Sequence, residues 1–203
     1  YSKVPHGIIP RVDAQGMVEV LRSFSSRMPW QTYSSSWNLL SSHDSPRIRY
    51  LVGDDANKQI AGAVLMTGMP GTPMIFAGDE IGMKGRWGED SRTPHPWEQT
   101  ELWDQEMLEA YSKLNRIRTS HEALFDGGLR FIHIEPDALV FLRESREQRL
   151  LFCVARGSVE TIELDIKTFG LQDAKHLFGY EATATDSQFR IHVPTAGGGI
   201  WHL

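Results

Sequence analysis

The spacing of apolar residues changes at Asp126-Gly127-Gly128, and this change constrains the fold more than any other feature of the sequence. Before it, apolar residues recur three or four positions apart, as on one face of a helix, and short apolar runs separate these stretches. After it, apolar and polar residues alternate, which is typical of half-buried antiparallel strands. The sequence therefore predicts an α/β region over residues 1–125 and an all-β sandwich domain over residues 126–203.

The α/β region combines three amphipathic helices with two short apolar strands. Each helix follows a carboxylate suited to an N-cap: Asp13, Asp54 or Asp55, and Asp104. The first helix is expected to bury one apolar face, made of Met17, Val20, Leu21 and Phe24. The strands are predicted at residues 36–41 and 73–77, and their order predicts parallel pairing through a helical crossover. Two parallel strands cannot bury both faces of a sheet, so we expect further strands to complete this region.

The sandwich domain is predicted to contain six to eight strands. The candidates are Leu129–Glu135, Ala138–Glu144, Arg149–Ala155, the alternating segments Ile162–Ile166 and Phe189–Val193, and Ile200–Leu203. One alternative function belongs to this domain, namely a non-catalytic module that binds a polysaccharide or a protein. A starch-binding sandwich should carry a cluster of exposed aromatic side chains. The aromatic residues here stand mostly at core-facing positions, which disfavours that alternative.

Composition excludes several classes of partner. The formal charge is −5 and no Lys/Arg cluster forms a basic stripe, which argues against nucleic acid. No apolar run approaches the roughly 20 residues that span a membrane, and residues 1–16 lack the order of a secretory signal. Cys153 is the only cysteine and lies in an apolar run, so we expect a buried structural thiol and a reducing, cytoplasmic location.

The pair His43-Asp44 is the principal candidate for chemistry. It directly follows the apolar run that ends at Leu40 and two serines, and Pro46 then prevents the strand from continuing. Enzymes with parallel sheets place functional side chains at the carboxyl ends of the strands, and Arg47 adds a cation beside the carboxylate. The alternative is a loop pair that caps the helix that follows.

Three segments together resemble the α-amylase family of glycoside hydrolases, in particular neopullulanase-like enzymes and α-glucosidases. Residues 38–47 are similar to the family's seventh-strand motif, residues 70–83 resemble its eighth-strand motif, and residues 90–97 resemble the loop that follows. The resemblance implies the last two βα units of a (β/α)8 barrel followed by a C-terminal antiparallel β-sandwich. It also implies a retaining enzyme that acts on α-glucosidic bonds of maltodextrins or related oligosaccharides.

The resemblance assigns roles to individual residues. Asp44 matches the family's third carboxylate, which stabilises the transition state by gripping ring hydroxyls. His43 matches a neighbour that donates hydrogen bonds to the same sugar, and Arg92 matches an arginine that holds its non-reducing end. Arg47 is included among the predicted substrate-binding residues. For Arg92 an ion pair with Asp90 is an equally weighted alternative.

The family's nucleophilic aspartate and acid/base glutamate match nothing in this sequence. Asp13 follows Arg11-Val12, which resembles the nucleophile motif, but it precedes Asp44 by only 31 residues and is predicted to be a helix cap. Asp44 and Glu80 could form a self-sufficient pair only at about 5–5.5 Å, and Glu80 is expected to be structural. We therefore predict that the chain is not catalytic alone.

The remaining expectations concern partners and neighbouring residues. The predicted partners are an α-glucan or oligosaccharide substrate, and either a missing N-terminal barrel portion or a swapped second copy of the chain. No cofactor or metal is predicted, because Asp79-Glu80 without further ligands would make a weak site. Trp97, flanked by Pro94 and Pro96, is predicted to anchor its loop rather than to stack on a sugar.

Overall fold

The computed structural model describes residues 2–4, 7–9 and 11–203, so residues 1, 5, 6 and 10 of the predicted 1–125 region lie outside the described part. The helices are α1 Ala14–Ser25, α2 Trp30–Ser34, α3 Ile48–Leu51, α4 Ala56–Gly68, α5 Gln105–Ser120 and α6 Ile166–Phe169. The strands are β1 Ser2–Val4, β2 Gly7–Ile9, β3 Trp37–Leu39, β4 Thr72–Met74, β5 Gly128–Glu135, β6 Ala138–Glu144, β7 Arg149–Ala155, β8 Glu160–Asp165, β9 Lys175–Gly179, β10 Ala182–Ala184, β11 Gln188–Val193 and β12 Gly197–His202. Among the described residues, no helix combines the length and apolar character needed to cross a membrane.

The three predicted N-caps are confirmed. Each cap carboxylate accepts a hydrogen bond from the backbone N–H three residues later, at 2.8 Å for Asp13, 3.1 Å for Asp55 and 3.0 Å for Asp104. These bonds satisfy N–H groups that have no partner within the first turn of a helix. Asp55, and not Asp54, caps α4. Asp13 is thus a helix cap, as predicted.

Strands β3 and β4 pair in parallel, with Trp37 opposite Thr72 and Leu39 opposite Met74. Helix α4 lies between them in the chain, so the predicted strand, helix, strand unit is confirmed. Both strands are shorter than predicted. One reason lies in β4 itself, because Pro73 has no N–H to contribute to a ladder.

The second half of the chain forms two antiparallel sheets. One has five strands in the order β5-β6-β7-β12-β9, and the other has three in the order β10-β11-β8. The predicted segments Ala138–Glu144 and Arg149–Ala155 coincide with β6 and β7. The predicted strand through Ile166 is wrong at its end, because the Asp165 carboxylate accepts a hydrogen bond from Thr168 N at 2.6 Å and starts α6. Sequence reasoning missed β9 and β10.

The five-stranded sheet is buried on both faces. On one face Phe141 and Phe152 stack with ring centroids 5.0 Å apart and pack with α1, α4 and α5. On the other face Val140 and Cys153 pack against the three-stranded sheet. Double burial explains why β6 and β7 are continuous apolar runs, whereas β8 and β11 alternate. The core crosses residue 125, and the domain boundary there stays a prediction.

Helix α4 approaches the sheet closely where both surfaces lack side chains. A Cβ at Gly68 would lie 2.6 Å from the Phe141 ring, and one at Gly198 in β12 would lie 2.8 Å from Val64. The buried Arg143 side chain then donates to the carbonyl oxygens of Gly68, Gly127 and Gly128 at 2.8, 2.7 and 3.1 Å. Burial lowers the pKa of Arg143 to about 10. Arg143 thus joins the end of α4 to the segment that leads into β5.

Candidate active site

Three of the predicted site residues come together beyond the carboxyl ends of β3 and β4. Asp44 follows β3, and Arg92 ends a 3₁₀ turn, Gly88–Arg92, in the segment after β4. Arg92 Nη2 donates to Asp44 Oδ1 at 2.9 Å, and Arg92 Nε donates to the His43 carbonyl oxygen, also at 2.9 Å. His43 Nε2 lies 3.2 Å from Asp44 Oδ2. Parallel pairing places the two strand ends at one edge, which explains how residues 48 positions apart meet.

This cluster is open to solvent. The exposed fractions of the side chains are 71% for Asp44, 67% for His43 and 47% for Arg92. A carboxylate accepts hydrogen bonds through two oxygens, while an imidazole and a guanidinium can donate them. Neighbouring hydroxyls of a sugar ring both donate and accept, so the cluster has the polarity that a polyol requires. The roles of the individual residues in catalysis remain predictions.

Serine side chains shape the turn that carries the pair. Ser45 Oγ accepts from Ser42 N at 2.9 Å, and Ser42 Oγ accepts from Asp44 N at 3.2 Å. At the start of α3, the Ile48 N–H donates a hydrogen bond to Ser41 Oγ at 2.8 Å, and neither His43 nor Asp44 caps the helix. The alternative in which His43 and Asp44 cap the following helix is therefore wrong.

Arg47 requires a correction. Its side chain is 2% exposed and turns inward, whereas a substrate contact was predicted. Nη1 donates to Asp79 Oδ1 at 2.9 Å, Nη2 to the Ala77 carbonyl at 3.0 Å and Nε to the Ser91 carbonyl at 3.1 Å. The guanidinium also lies 4.2 Å from the ring centroid of Phe76. Arg47 is a structural residue that ties the segment of Arg92 to the end of β4.

A second buried arginine extends this support, and sequence reasoning missed it. Arg49 donates to Gln59 Oε1 and to Asp104 Oδ2, both at 2.6 Å, and Gln59 Nε2 donates to the Asp79 carbonyl at 2.7 Å. Helix α4, through Gln59, and the cap of α5, Asp104, are thereby linked to Arg49 and to the segment after β4. Burial raises the pKa of Asp79, and the Ser41 hydroxyl and Arg47 oppose that rise. The only signal in the sequence was a polar residue, Gln59, on the inner face of a predicted helix.

Two neighbouring acids have partners of their own. The Asp90 carboxylate accepts from Arg86 N at 2.6 Å and from Arg86 Nε at 3.2 Å. The predicted alternative of an Arg92–Asp90 ion pair is therefore wrong. Glu80 Oε2 accepts from Gly78 N at 2.8 Å, where Gly78 has a φ of 101° that favours glycine. Glu80 holds local backbone, as predicted.

Trp97 is also corrected. Its side chain is 69% exposed and stacks on His95 with ring centroids 3.8 Å apart, so it does not bury itself as the predicted anchor. Trp103 anchors the loop instead, since its Nε1 donates to the Pro96 carbonyl at 3.0 Å.

Cys153 is fully buried, which confirms the prediction, and burial raises the pKa of its thiol to about 12. Within the described residues, no three His, Cys, Asp or Glu side chains converge as metal ligands would.

The alternative built on the sandwich gains no support. Phe141, Phe152, Phe178, Phe189 and Trp201 are buried. None of the exposed large apolar side chains lies in residues 126–203, all of which the structure describes. A surface without exposed aromatic rings lacks the platform that such a starch-binding module would need.

Comparison with known proteins points in one direction. Residues 9–105 match the model of the α-amylase catalytic domain. The chain is 34% identical over 180 residues to neopullulanase 2 of Thermoactinomyces vulgaris, an alignment that covers 86% of this chain and 30% of that protein. It is 28% identical over 187 residues to a cyclomaltodextrinase of Geobacillus thermopakistaniensis, covering 91% and 31%.

Solved structures share the fold. The native debranching enzyme of Nostoc punctiforme superimposes with a TM-score of 0.82 at 25% identity, covering 96% of this chain and 41% of the other. A cyclomaltodextrinase superimposes with the same TM-score at 22% identity, covering 95% and 33%. The chain thus spans less than half the length of these structures and less than a third of that of the two relatives compared above.

Proposed function

This chain belongs to the α-amylase family of glycoside hydrolases, and we propose that it supplies the sugar-gripping side of a retaining active site. The bonds cleaved would be α-glucosidic bonds of maltodextrins or related oligosaccharides, through a covalent glycosyl-enzyme intermediate. Strands β3 and β4 would be the last two strands of a (β/α)8 barrel, and residues 126–203 the C-terminal domain. The nucleophile and the acid/base would come from outside this chain.

One observation carries this proposal, namely the contact of Asp44 with both His43 and Arg92 beyond adjacent strand ends. In the proposed role, Asp44 accepts hydrogen bonds from two ring hydroxyls and binds more tightly as positive charge develops on the ring. His43 donates to the same sugar. Arg92 engages a hydroxyl and the Asp44 carboxylate together, which its planar, forked guanidinium allows and an ammonium group does not. The buried Arg47 makes no contact with the sugar in this proposal and holds the segment of Arg92 in place.

The names of the relatives, neopullulanase, cyclomaltodextrinase and debranching enzyme, support α-glucans as the substrate class. The proposed partner is the rest of the barrel, supplied by a preceding portion of the polypeptide or by a second copy through swapping. The exposed edges of β3 and β4 support such a partner, because an unpaired strand edge offers backbone groups for pairing.

The Asp44→Asn variant tests the role of the carboxylate. The substitution keeps size and removes charge, so we expect the affinity of the 203-residue chain for maltotriose to fall about tenfold or more. The measurement is a titration followed by NMR. Asp186→Asn, at an exposed position outside the site, is the matched control and should bind as the wild type does. Equal affinity of Asp44→Asn and the wild type would refute the assigned role.

A further inference from the structure

We propose that Trp97 is a stacking platform for a second glucose unit of the oligosaccharide whose first unit lies at Asp44. This inference rests on the proposed function and extends it, since it makes the site specific for a chain of sugars over a single ring. Trp97 has the most exposed side chain among the large apolar residues described as exposed. One face of its indole stacks on His95, which leaves the opposite face to solvent.

The platform is held rigidly. The His95 ring lies 3.8 Å from Trp97 at an interplanar angle of 26° and meets Trp103 edge-on at 5.6 Å. The His95 side chain is 9% exposed, and its Nε2 lies 3.5 Å from Glu80 Oε1, beside the end of β4. Trp103 in turn donates to the Pro96 carbonyl. An aromatic face fixed in advance loses little conformational freedom when a ligand covers it.

The same segment carries both Arg92 and Trp97. Arg92 is fixed on Asp44 at 2.9 Å. Five residues of chain span at most about 18 Å, which is the upper limit on the distance between the backbones of Arg92 and Trp97. The buried Arg47 also fixes this segment, because its Nε donates to the Ser91 carbonyl. A ligand that contacts Asp44 and Trp97 would therefore meet two parts of one rigid unit.

The chemistry of the two surfaces fits a sugar chain. The Asp44 cluster offers charges and hydrogen bonds to hydroxyls, whereas the indole offers a flat apolar face to the C–H groups of a pyranose ring. Trp37 is 68% exposed as well, but it begins β3 and lies at the end opposite to Asp44. Trp37 is consequently a matched control with the same residue type and exposure.

A rival explanation is that Trp97 only covers His95. Two variants separate the explanations, because Trp97→Leu retains an apolar cover and removes the aromatic face, whereas Trp97→Phe retains a face. For the 203-residue chain we expect Trp97→Leu to weaken maltotriose binding about five- to tenfold and to leave methyl α-glucoside binding unchanged. Trp97→Phe should restore most of the affinity, and Trp37→Leu should bind both sugars as the wild type does.

NMR of the indole N–H groups gives the direct readout, with the Trp97 signal assigned through Trp97→Phe. We expect this signal to shift with maltotriose and not with methyl α-glucoside, while the Trp37 signal stays in place. Unchanged maltotriose affinity in Trp97→Leu would overturn the platform and leave the Asp44 result standing. A loss for both sugars together with a lower melting temperature would establish the cover role and overturn the platform.

Asp44→Asn separates the two proposals. If maltotriose shifts the Trp97 signal with unchanged affinity in Asp44→Asn, the indole binds sugar independently of the site, and both the joint site and the role of Asp44 are refuted. If the wild type binds neither sugar at millimolar concentration, the platform and the sugar-gripping role both fail.

Discussion

Residues 11–125 and residues 126–203 both contribute to the core, but they differ in how many large apolar side chains they leave exposed. Between these two parts, every large apolar side chain that is exposed lies in the first, including Val20 at 63%, Phe24 at 50% and Trp37 at 68%. In the second part, which is described throughout, such side chains are buried or half-buried between two sheets or between a sheet and helices. Residues 126–203 therefore leave no large apolar side chain exposed. Residues 11–125 expose several, as surfaces that bind another protein segment often do.

The sheets show the same difference. Both faces of the five-stranded sheet are covered, and its strands β6, β7 and β12 each pair with a neighbouring strand on either side. In the described part of the chain β3 pairs only with β4, which leaves one edge of each strand open. Open strand edges and exposed apolar side chains thus both occur in residues 11–125, the part of the chain in which the proposed barrel would continue. The site at Asp44 therefore lies in the part of the molecule whose strand edges are free to pair with the further strands of the proposed barrel.

Replacement of a phenylalanine in each of the two parts should give very different losses of stability. Phe141→Ala removes a fully buried ring and should lower the free energy of unfolding by about 3–5 kcal/mol. Phe24→Ala removes a half-exposed ring and should cost less than about 0.5 kcal/mol in the isolated chain. Urea unfolding measures both. Equal losses would mean that α1 packs as tightly as the sheet and would remove the contrast.

The buried ion pair between Arg47 and Asp79 should contribute to the stability of the loops that form the site. Arg47→Met leaves the Asp79 carboxylate buried without its cation, and we expect a loss of about 3 kcal/mol. Hydrogen exchange should speed up in α3 and near the strand ends and stay slow in β7. Adding Asp79→Leu removes the unpaired charge and should recover most of the loss. If Arg47→Met is neutral, the buried pair does not hold the loops of the site.

The smallest effect is a pH dependence within the sheet. Two hydrogen bonds from Arg130, and then Arg149, hold the pKa of Glu144 below its ordinary value of 4.5. The stability that Glu144 contributes is therefore fully present above pH 4.5 and is lost as the pH falls through its lowered pKa. Because the pair is partly exposed, we expect at most about 1 kcal/mol. Urea midpoints at pH 7 and pH 3 should differ less in Glu144→Gln, and an undiminished difference would exclude Glu144 as the cause.

Local chemistry explains which features could be predicted from the sequence. The helix caps depend on hydrogen bonds to residues only three positions away, so Asp13 and Asp104 were predicted correctly and the cap of α4 was narrowed to Asp54 or Asp55. The resemblance assigned Asp44 and Arg92 to the same sugar, but the direct contact between these two side chains was not predicted. The caps need only the nearest chain neighbours.

Tertiary packing explains the errors. Arg47 stands beside Asp44 in the sequence, but its direction is decided by Asp79, 32 residues away. Val20 and Phe24 fit the helical spacing, yet α1 buries Ala14 and Val18 instead. The exposure of Trp97 depended on which neighbouring tryptophan packed into the loop, and Trp103 is the half-buried one. The periodicity of a sequence identifies an apolar face, but it does not show whether this chain supplies the surface that covers that face.

In the proposed function this chain grips a sugar and lacks the residues that break the bond. The decisive measurement is incubation of the purified 203-residue chain with nitrophenyl α-glucoside at high protein concentration. We expect no release of nitrophenol above the buffer control. Turnover that disappears in Glu80→Gln would contradict this expectation, because Asp44 and Glu80 would then form a sufficient carboxylate pair.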